Sequence, residues 1–310
     1  MTTRILFAAQ PRRWETYHAP LTTALTDAGL DFELSTEFAP EQVDYIVYAP
    51  NSEVQDFAPY TKLKAVLNLW AGVENVVGNE TLKVPLARMV DHGLTRGMVE
   101  WVTGHVLRHH LLMDPHIHGL NGEWPQIVPP LAEDRRVTIL GLGELGRECA
   151  TTLAYLGFDV AGWSRSPREV EGVTCLHGPD GLSRALERAD ILVLLLPDTA
   201  ATQNLLDADR IALLPEGAVI INPGRGPLID DDALIAALDA GNLSHATLDT
   251  FRVEPLPKDH PFWAHPRVTV TPHIASETRP ASASRVIAEN IRRCEAGEPL
   301  LHVVDRAAGY

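Results

Sequence analysis

Three glycines, at residues 141, 143 and 146, constrain this chain more than any other feature. They lie in Gly141-Leu142-Gly143-Glu144-Leu145-Gly146, which directly follows an apolar run and opens a helical pattern. In such a turn the first glycine permits a sharp bend, the second lets the backbone approach a pyrophosphate, and the third lets helix and strand pack closely. The helix N-terminus adds N–H donors. The motif therefore predicts a dinucleotide-binding unit, with a glycine-rich turn of no further function as the alternative.

Apolar runs and helical patterns alternate along most of the chain. Before residue 94 the sequence predicts a helix over Pro20 to Ala28 and three strands: Arg4 to Ala8, Tyr45 to Ala49 and Ala65 to Leu69. After residue 136 it predicts six strands: Val137 to Leu140, Phe158 to Trp163, Ile191 to Leu196, Ala218 to Asn222, Ala246 to Leu248 and Val268 to Thr271. Continuous apolar runs suit parallel strands buried on both faces. The expected fold class is therefore α/β, with a doubly wound, Rossmann-type parallel sheet and a smaller α/β domain.

Two further helices are predicted outside these strands. A long one runs from Leu94 to Leu112 and should end at Asp114-Pro115, because the residue before a proline disfavours helical backbone. The other spans Ala281 to Ala296. A chain of 310 residues is about twice the commonest domain size, so two domains are expected.

Charge and cysteine usage exclude several classes of protein. With 26 Lys and Arg against 41 Asp and Glu, the net charge is −15, which disfavours binding to nucleic acid or anionic membranes. The first apolar run, Ile5 to Ala9, is too short for a signal peptide, and no run is long enough to span a membrane. Cys149, Cys175 and Cys294 are widely separated, as in reduced structural cysteines. We expect a cytoplasmic protein.

The residues after the second strand of the predicted Rossmann sheet indicate which coenzyme binds. NAD enzymes usually carry Asp or Glu at this place, about twenty residues after the glycines, but this chain has Ser164, Arg165 and Ser166. Hydroxyl and guanidinium groups can hold a 2′-phosphate, which a carboxylate would repel. This loop favours NADPH, although an ordinary basic loop is the alternative and NADH remains possible.

Three polar residues follow the last three predicted strands. Arg225 lies in Asn222-Pro223-Gly224-Arg225-Gly226, Glu254 follows Leu248-Asp249-Thr250, and His273 lies in Thr271-Pro272-His273. The carboxyl ends of parallel strands form the ligand edge of such a sheet. An arginine can bind a carboxylate and polarise the adjacent carbonyl, a histidine can transfer a proton, and a glutamate can favour the protonated histidine.

This ordered set of motifs resembles the D-isomer-specific 2-hydroxyacid dehydrogenase family. The resemblance runs nearly end to end and includes Trp163-Ser164-Arg165-Ser166, Glu254-Pro255-Leu256-Pro257 and His265-Pro266-Arg267-Val268. It implies an NADPH-preferring reductase of small 2-oxoacids such as glyoxylate and hydroxypyruvate. It also implies a flavodoxin-like fold for the smaller domain.

The resemblance also assigns roles to individual residues. Arg225, Glu254 and His273 correspond to the catalytic residues, and Asp249 to the group that holds the nicotinamide carboxamide. Ala71 and Gly72, together with Arg225 and His273, correspond to substrate-binding positions. Trp70 is a further substrate-binding candidate because it abuts the Ala71-Gly72 turn. The remaining coenzyme-contacting positions are Gly141, Gly143, Glu144, Leu145, Gly146, Ser164, Arg165, Ser166, Leu196, Pro197, Pro223 and Gly224. The family more often has alanine than glycine before the catalytic arginine, so Gly224 is a departure that could loosen this loop.

The family fold implies a discontinuous first domain. Residues 1–94 and 286–310 would form the substrate domain, and residues 95–285 the coenzyme domain. The long helix Leu94 to Leu112 would belong to the coenzyme domain and to the contact of a homodimer.

Other functions are compatible with parts of the sequence. An NAD-linked dehydrogenase with a bulkier substrate and a non-catalytic protein that senses dinucleotides are the two alternatives. His105 and His109 lie four apart on the long helix, but Val106 stands where a zinc-binding His-Glu-x-x-His motif needs glutamate. We therefore predict no metal and interpret these histidines as part of an interface or of a surface-facing helix.

Overall fold

The structure, a computed structural model, describes residues 2–309, which form two compact units. Residues 2–94 and 277–309 form the first unit, and Thr95–Ser276 forms the second. The chain re-enters the first unit after Ser276, nine residues earlier than the resemblance implied. The difference arises because the whole last helix, α8 (Pro280–Glu295), packs on the first unit through Ala283, Ile287 and Ile291.

The first unit is a five-stranded parallel sheet with strand order β2-β1-β3-β4-β5. This is the flavodoxin-like order. The strands are β1 (Thr3–Ala8), β2 (Phe32–Ser35), β3 (Tyr45–Tyr48), β4 (Ala65–Asn68) and β5 (Leu86–Ala87). Successive strand residues point to opposite faces, so Ile5 and Phe7 lie in one core with α8, and Leu6 and Ala8 lie in another.

Helix α1 of this unit (Pro11–Asp27) is longer than the sequence predicted. The predicted helix began at Pro20, but Pro11 already occupies the first turn, where its missing N–H is not needed. Pro20 therefore lies inside the helix, where proline removes one backbone hydrogen bond.

The second unit is a seven-stranded parallel sheet with strand order β12-β11-β10-β9-β6-β7-β8. Its strands are β6 (Arg136–Leu140), β7 (Asp159–Ser164), β8 (Thr174–His177), β9 (Ile191–Leu194), β10 (Ala218–Asn222), β11 (Leu243–Leu248) and β12 (Val268–Val270). Six of them follow the Rossmann order, with β12 added at one edge. The order reverses between β6 and β9, which is where such sheets bind ligands. The predicted fold class is therefore confirmed.

The helices of this unit surround the sheet. They are α2 (His92–His110), which begins in the first unit, α3 (Met113–His118), α4 (Glu144–Tyr155), α5 (Gly178–Glu187), α6 (Ala208–Ile211) and α7 (Asp231–Ala240). The sequence predicted that the long helix ends at Asp114-Pro115, but the helix ends earlier. It ends at His110, Leu112 takes a left-handed conformation, and Asp114-Pro115 lies in the first turn of α3. Within residues 2–309, no helix is long and apolar enough to cross a membrane.

Candidate active site

The glycine-rich turn between β6 and α4 is tightly packed at two of its glycines and open at the third. A Cβ on Gly141 would lie 2.5 Å from the carbonyl oxygen of Leu195, and one on Gly146 would lie 1.7 Å from that of Gly141. These two glycines are therefore needed for backbone packing. A Cβ on Gly143, in contrast, would have no neighbour within 4 Å. Gly143 is the N-cap residue of α4 and makes no side-chain hydrogen bond to the helix, so it leaves the first-turn N–H groups available as donors.

The loop proposed to read the ribose begins at the end of β7. Ser164 is the last residue of the strand, and its hydroxyl donates a 2.8 Å hydrogen bond to the carbonyl oxygen of Ser166. Arg165 and Ser166 are exposed.

The strand β9 ends at Leu194 rather than at the predicted Leu196, so Leu196 and Pro197 lie in the loop after the strand. β9 pairs with β6 only as far as Leu140, where the glycine turn begins.

His273 and Glu254 are in direct contact. The Nδ1 atom of His273 lies 2.7 Å from Oε2 of Glu254, and Oε1 of Glu254 accepts a 2.9 Å hydrogen bond from the backbone N–H of Phe251. The Phe251 contact fixes the carboxylate, which in turn orients the imidazole. With Nδ1 occupied, Nε2 is the nitrogen left for a substrate.

This contact shifts the pKa values of both groups. The hydrogen bond from Glu254 raises the pKa of His273, and partial burial and the positive charge of Arg225 oppose this only in part. Burial alone would raise the pKa of Glu254, but the hydrogen bonds from His273 and the N–H of Phe251 outweigh it and lower that pKa. The pair therefore favours a protonated imidazole beside an ionised carboxylate.

Arg225 lies in a loop that the end of β10 holds closely. Asn222 holds the loop through two hydrogen bonds. Its Oδ1 accepts the N–H of Gly224 at 3.1 Å, and its Nδ2 donates to the carbonyl oxygen of Arg225 at 2.9 Å. A Cβ on Gly226 would lie 2.0 Å from the carbonyl carbon of Phe251. The Arg225 loop thus lies directly against the segment that leads to Glu254.

Gly224 fits this arrangement rather than loosening it. A Cβ there would lie 2.7 Å from the carbonyl oxygen of Leu194, closer than such atoms can approach. Pro223 and Gly224 are both buried. The glycine therefore allows the Arg225 loop to lie closer to the end of β9 than an alanine would permit.

Asp249 is fully buried and organises the loop that carries His273. Its Oδ1 accepts hydrogen bonds from the Thr271 hydroxyl at 2.6 Å and the Ile274 N–H at 2.9 Å, and its Oδ2 accepts the Ala275 N–H at 2.9 Å. His273 itself has a φ of 53°, a left-handed conformation that is uncommon for residues other than glycine. The carboxylate contacts explain how this conformation is held. The resemblance assigned Asp249 to the nicotinamide, and that role stays a prediction.

The turn at Trp70, Ala71 and Gly72 belongs to the first unit. Asn68, the last residue of β4, donates from Nδ2 to the carbonyl oxygens of Trp70 and Gly72, both at 2.9 Å. Each of the three turn residues is partly buried.

Sequence reasoning missed Asn68 and Asn222. Both were visible only as polar residues at strand ends, and nothing local shows which backbone groups their side chains contact. The structure also contradicts the surface-facing interpretation for His109: this histidine is buried, and its Nε2 contacts the Thr247 hydroxyl of β11 at 2.9 Å. His105 is partly buried, and the interface alternative stays a prediction. No group of three metal-binding side chains occurs in the part of the chain that the structure describes.

Comparisons with known proteins identify the family. The family model for the D-isomer specific 2-hydroxyacid dehydrogenase, NAD binding domain, matches residues 105–275. Glyoxylate/hydroxypyruvate reductase A from Serratia proteamaculans is 40% identical over 86% of this chain and 88% of its own length. A D-isomer specific 2-hydroxyacid dehydrogenase from Xanthobacter autotrophicus Py2, solved with NADPH and MES, has a TM-score of 0.93 and 40% identity, with both chains fully covered. The NADPH-dependent glyoxylate/hydroxypyruvate reductase from Sinorhizobium meliloti, solved with NADP and sulfate, has a TM-score of 0.87 and 35% identity, again with full coverage.

Proposed function

Because the chain belongs to the D-isomer-specific 2-hydroxyacid dehydrogenase family, we propose that it reduces small 2-oxoacids with NADPH. Glyoxylate would give glycolate, and hydroxypyruvate would give D-glycerate. The observation that carries the proposal is the 2.7 Å contact between His273 and Glu254, next to the loop of Arg225 at the ligand edge of the sheet. The similarity to reductases of these two substrates supports the choice of substrate.

The chain's own residues fit the coenzyme. Gly141, Gly143 and Gly146, with the first turn of α4 at Glu144 and Leu145, would hold the pyrophosphate. The 2′-phosphate would contact Ser164, Arg165 and Ser166. The nicotinamide end would lie near Leu196, Pro197, Pro223, Gly224 and Asp249. When bound, NADPH supplies the hydride that the carbonyl carbon of the substrate accepts.

The remaining chemistry comes from three side chains. Arg225 would bind the substrate carboxylate with its planar fork and draw electron density from the adjacent carbonyl. His273 would donate its Nε2 proton to the carbonyl oxygen, which becomes the hydroxyl of the product. Glu254 would stabilise the imidazolium before transfer through its contact with Nδ1. Trp70, Ala71 and Gly72 would contact the carboxylate of the substrate.

A spectrophotometric assay tests the reaction. NADPH oxidation is followed with glyoxylate, hydroxypyruvate, pyruvate and a 2-oxoacid that has a bulky side chain. The proposal expects the highest kcat/KM with glyoxylate or hydroxypyruvate. A preference for the bulky substrate with NADH would favour the dehydrogenase alternative, and tight NADPH binding without turnover on any 2-oxoacid would favour a dinucleotide sensor.

A paired substitution tests the coenzyme preference. A charge-assisted hydrogen bond contributes about 1.5–3 kcal/mol, which is roughly a ten- to hundredfold preference for NADPH. Ser164→Asp with Arg165→Ala should reverse the preference, because it adds repulsion and removes attraction at the 2′-phosphate. The measurement is the ratio of kcat/KM values for NADPH and NADH in both proteins, and an unchanged ratio would show that this loop does not read the ribose.

We also propose a cytoplasmic homodimer. The segment after α2 exposes many apolar side chains that a partner subunit could cover: Leu111, Leu112, Met113, Ile117, Trp124, Ile127, Val128 and Leu131. Light scattering should give twice the chain mass, and Ile117→Asp with Val128→Asp should reduce the measured mass towards that of one chain.

The proposed cytoplasmic location is consistent with Cys149, Cys175 and Cys294, which are all free thiols.

A further inference from the structure

Two buried asparagines at strand ends take no part in the proposed reaction. Asn68 ends β4 and Asn222 ends β10, and each has only 1% of its surface exposed. Burying an amide side chain is unfavourable unless its polar atoms find partners. The partners of both residues lie in the turn that directly follows the strand.

Asn222 uses both ends of its amide on the Arg225 loop. The loop is held before and after Gly224, because Oδ1 accepts the Gly224 N–H and Nδ2 donates to the Arg225 carbonyl oxygen. The backbone carbonyl of Asn222 also accepts the N–H of Asp249 at 3.0 Å. The asparagine therefore fixes the main chain from which the Arg225 side chain extends.

Asn68 acts on the turn at Trp70 and Gly72 through both hydrogens of its amide. Its Nδ2 reaches the two carbonyl oxygens at 2.9 Å each, so it closes the turn from within. Its Oδ1 is buried and has no hydrogen-bond partner among residues 2–309. Since this acceptor gains nothing in the protein, the contribution of Asn68 lies in the two bonds to the turn.

We propose that Asn68 and Asn222 are positioning residues for the substrate. Each closes one of the two turns that we assign to substrate binding, so that the turn is already in its binding conformation before the 2-oxoacid arrives. Preformed turns avoid the cost of ordering the backbone on binding. The inference rests on the proposed function, because that function makes the two turns substrate contacts.

Asn290 provides a matched control. It lies in α8, is 2% exposed, and holds Leu301 in the same manner: Oδ1 accepts the Leu301 N–H at 2.7 Å, and Nδ2 donates to the Leu301 carbonyl oxygen at 3.4 Å. Leu301 is not one of the residues assigned to coenzyme or substrate binding. A purely structural role of buried asparagines predicts the same behaviour for Asn68, Asn222 and Asn290.

The experiment compares Asn68→Ala, Asn222→Ala and Asn290→Ala in the full chain. Alanine removes the hydrogen bonds without adding charge near an anionic substrate. The readouts are KM and kcat for glyoxylate, the affinity for oxamate as a nonreactive analogue in the presence of NADPH, the affinity for NADPH alone, and the melting temperature. Asn68→Ser and Asn222→Ser, which retain a short donor, serve as second variants where alanine prevents folding.

Positioning predicts a specific pattern. Asn68→Ala should weaken oxamate binding and raise KM about tenfold with little change in kcat, because its turn contacts only the carboxylate. Asn222→Ala should also lower kcat, because Arg225 polarises the reacting carbonyl. Asn290→Ala should lower the melting temperature and leave KM and oxamate affinity unchanged.

The outcomes separate the two proposals. If the wild-type protein turns over no 2-oxoacid, the proposed function is wrong, and the positioning role falls with it. If the wild-type protein is active but Asn68→Ala and Asn222→Ala keep their oxamate affinity, or weaken it no more than Asn290→Ala does, only the positioning role is wrong.

Discussion

His273 and His109 carry the same side chain in the same unit, and their surroundings shift their pKa values in opposite directions. His273 is about half exposed, with 48% of its side chain accessible, and Glu254 lies 2.7 Å from its Nδ1. The pKa of His273 is raised, chiefly by that hydrogen bond. His109 is 9% exposed, and its ring centroid lies 5.0 Å from that of His245. Burial, followed by the charges of His245 and Arg108, lowers the pKa of His109 to about 3.

The comparison separates a histidine that can transfer protons from one that helps to hold the fold. His109 and His245 each contact a threonine hydroxyl, Thr247 and Thr269, which a neutral imidazole can satisfy. Burial is also the main cause that lowers the pKa of His245, to about 4. Neither histidine therefore carries a proton to donate near neutral pH. Of these three histidines, His273 alone has its ring nitrogen in hydrogen-bond contact with a carboxylate, which favours the charged form.

The largest expected effect comes from exchanging each histidine for asparagine. His273→Asn should lower kcat/KM for glyoxylate by roughly 10²–10⁴, because it removes the general acid, and asparagine tolerates the left-handed backbone at this position. His109→Asn should change kcat/KM by less than about threefold, since it acts on stability rather than on the reaction. Steady-state kinetics on both variants measure this difference. Equal losses of kcat/KM would show that the comparison between the two histidines is mistaken.

Arg225→Lys sharpens the comparison by changing substrate binding while keeping the positive charge near His273. Lysine lacks the planar fork that binds a carboxylate at two points, so kcat/KM for glyoxylate should fall roughly ten- to hundredfold. The pH at which reduction declines should stay close to that of the wild-type protein. Near-normal kcat/KM in this variant would contradict the assignment of Arg225 to the substrate.

Glu254→Gln tests the cause of the raised pKa of His273. Reduction requires the protonated imidazole, so kcat/KM should decline as the pH rises through the pKa of His273. Glutamine removes the negative charge at 2.7 Å, which should lower that pKa, so the decline should begin at a lower pH than in the wild-type protein. The measurement is a pH profile of kcat/KM for both proteins. Superimposable profiles would mean that Glu254 does not control this proton.

The sequence singled out His273 as a candidate for proton transfer, and that role stays a prediction. For His109 it left an interface or a surface-facing helix open, and the burial of this histidine contradicts the surface-facing interpretation for a physical reason. Motifs at strand ends identify polar residues that meet at the ligand edge, because parallel strands place them there. The burial of His109 depends on Thr247, which lies 138 residues away in the chain. No local pattern contains that contact. The same holds for the backbone partners of Asn68 and Asn222, which appear only once the turns have folded.

The fold shows a similar division between central and edge strands. The three strands that the sequence did not predict, β2, β5 and β8, all lie at sheet edges. An edge strand has a neighbour on one side only and is less completely buried, so its apolar pattern is weaker. Glu33 in β2 and Thr174 in β8 are exposed, and β5 has only two residues. Central strands such as β9 and β10 are buried throughout and apolar except for Asn222 at the end of β10, and they were predicted.

The smallest effect concerns how steeply the stability of the protein changes with pH in acid, to which buried His109 and His245 should contribute and His273 should not. In the folded protein the pKa is about 3 for His109 and about 4 for His245, below the ordinary value of 6.5. The unfolded chain therefore binds more protons than the folded protein between pH 6.5 and about 4. The free energy of unfolding should therefore fall as the pH drops through this window, by up to ~1.4 kcal/mol per pH unit for each histidine. For each of these histidines, the expected consequence is a decrease of roughly 2–5 °C in melting temperature per pH unit. In His109→Asn the decrease should be shallower, whereas His177→Asn, at an exposed position at the end of β8, should retain the wild-type slope. Melting curves from pH 7 to pH 4.5 measure the three slopes. If His109→Asn loses stability in acid as steeply as the wild-type protein does, burial of a neutral imidazole is not what distinguishes His109 from His273.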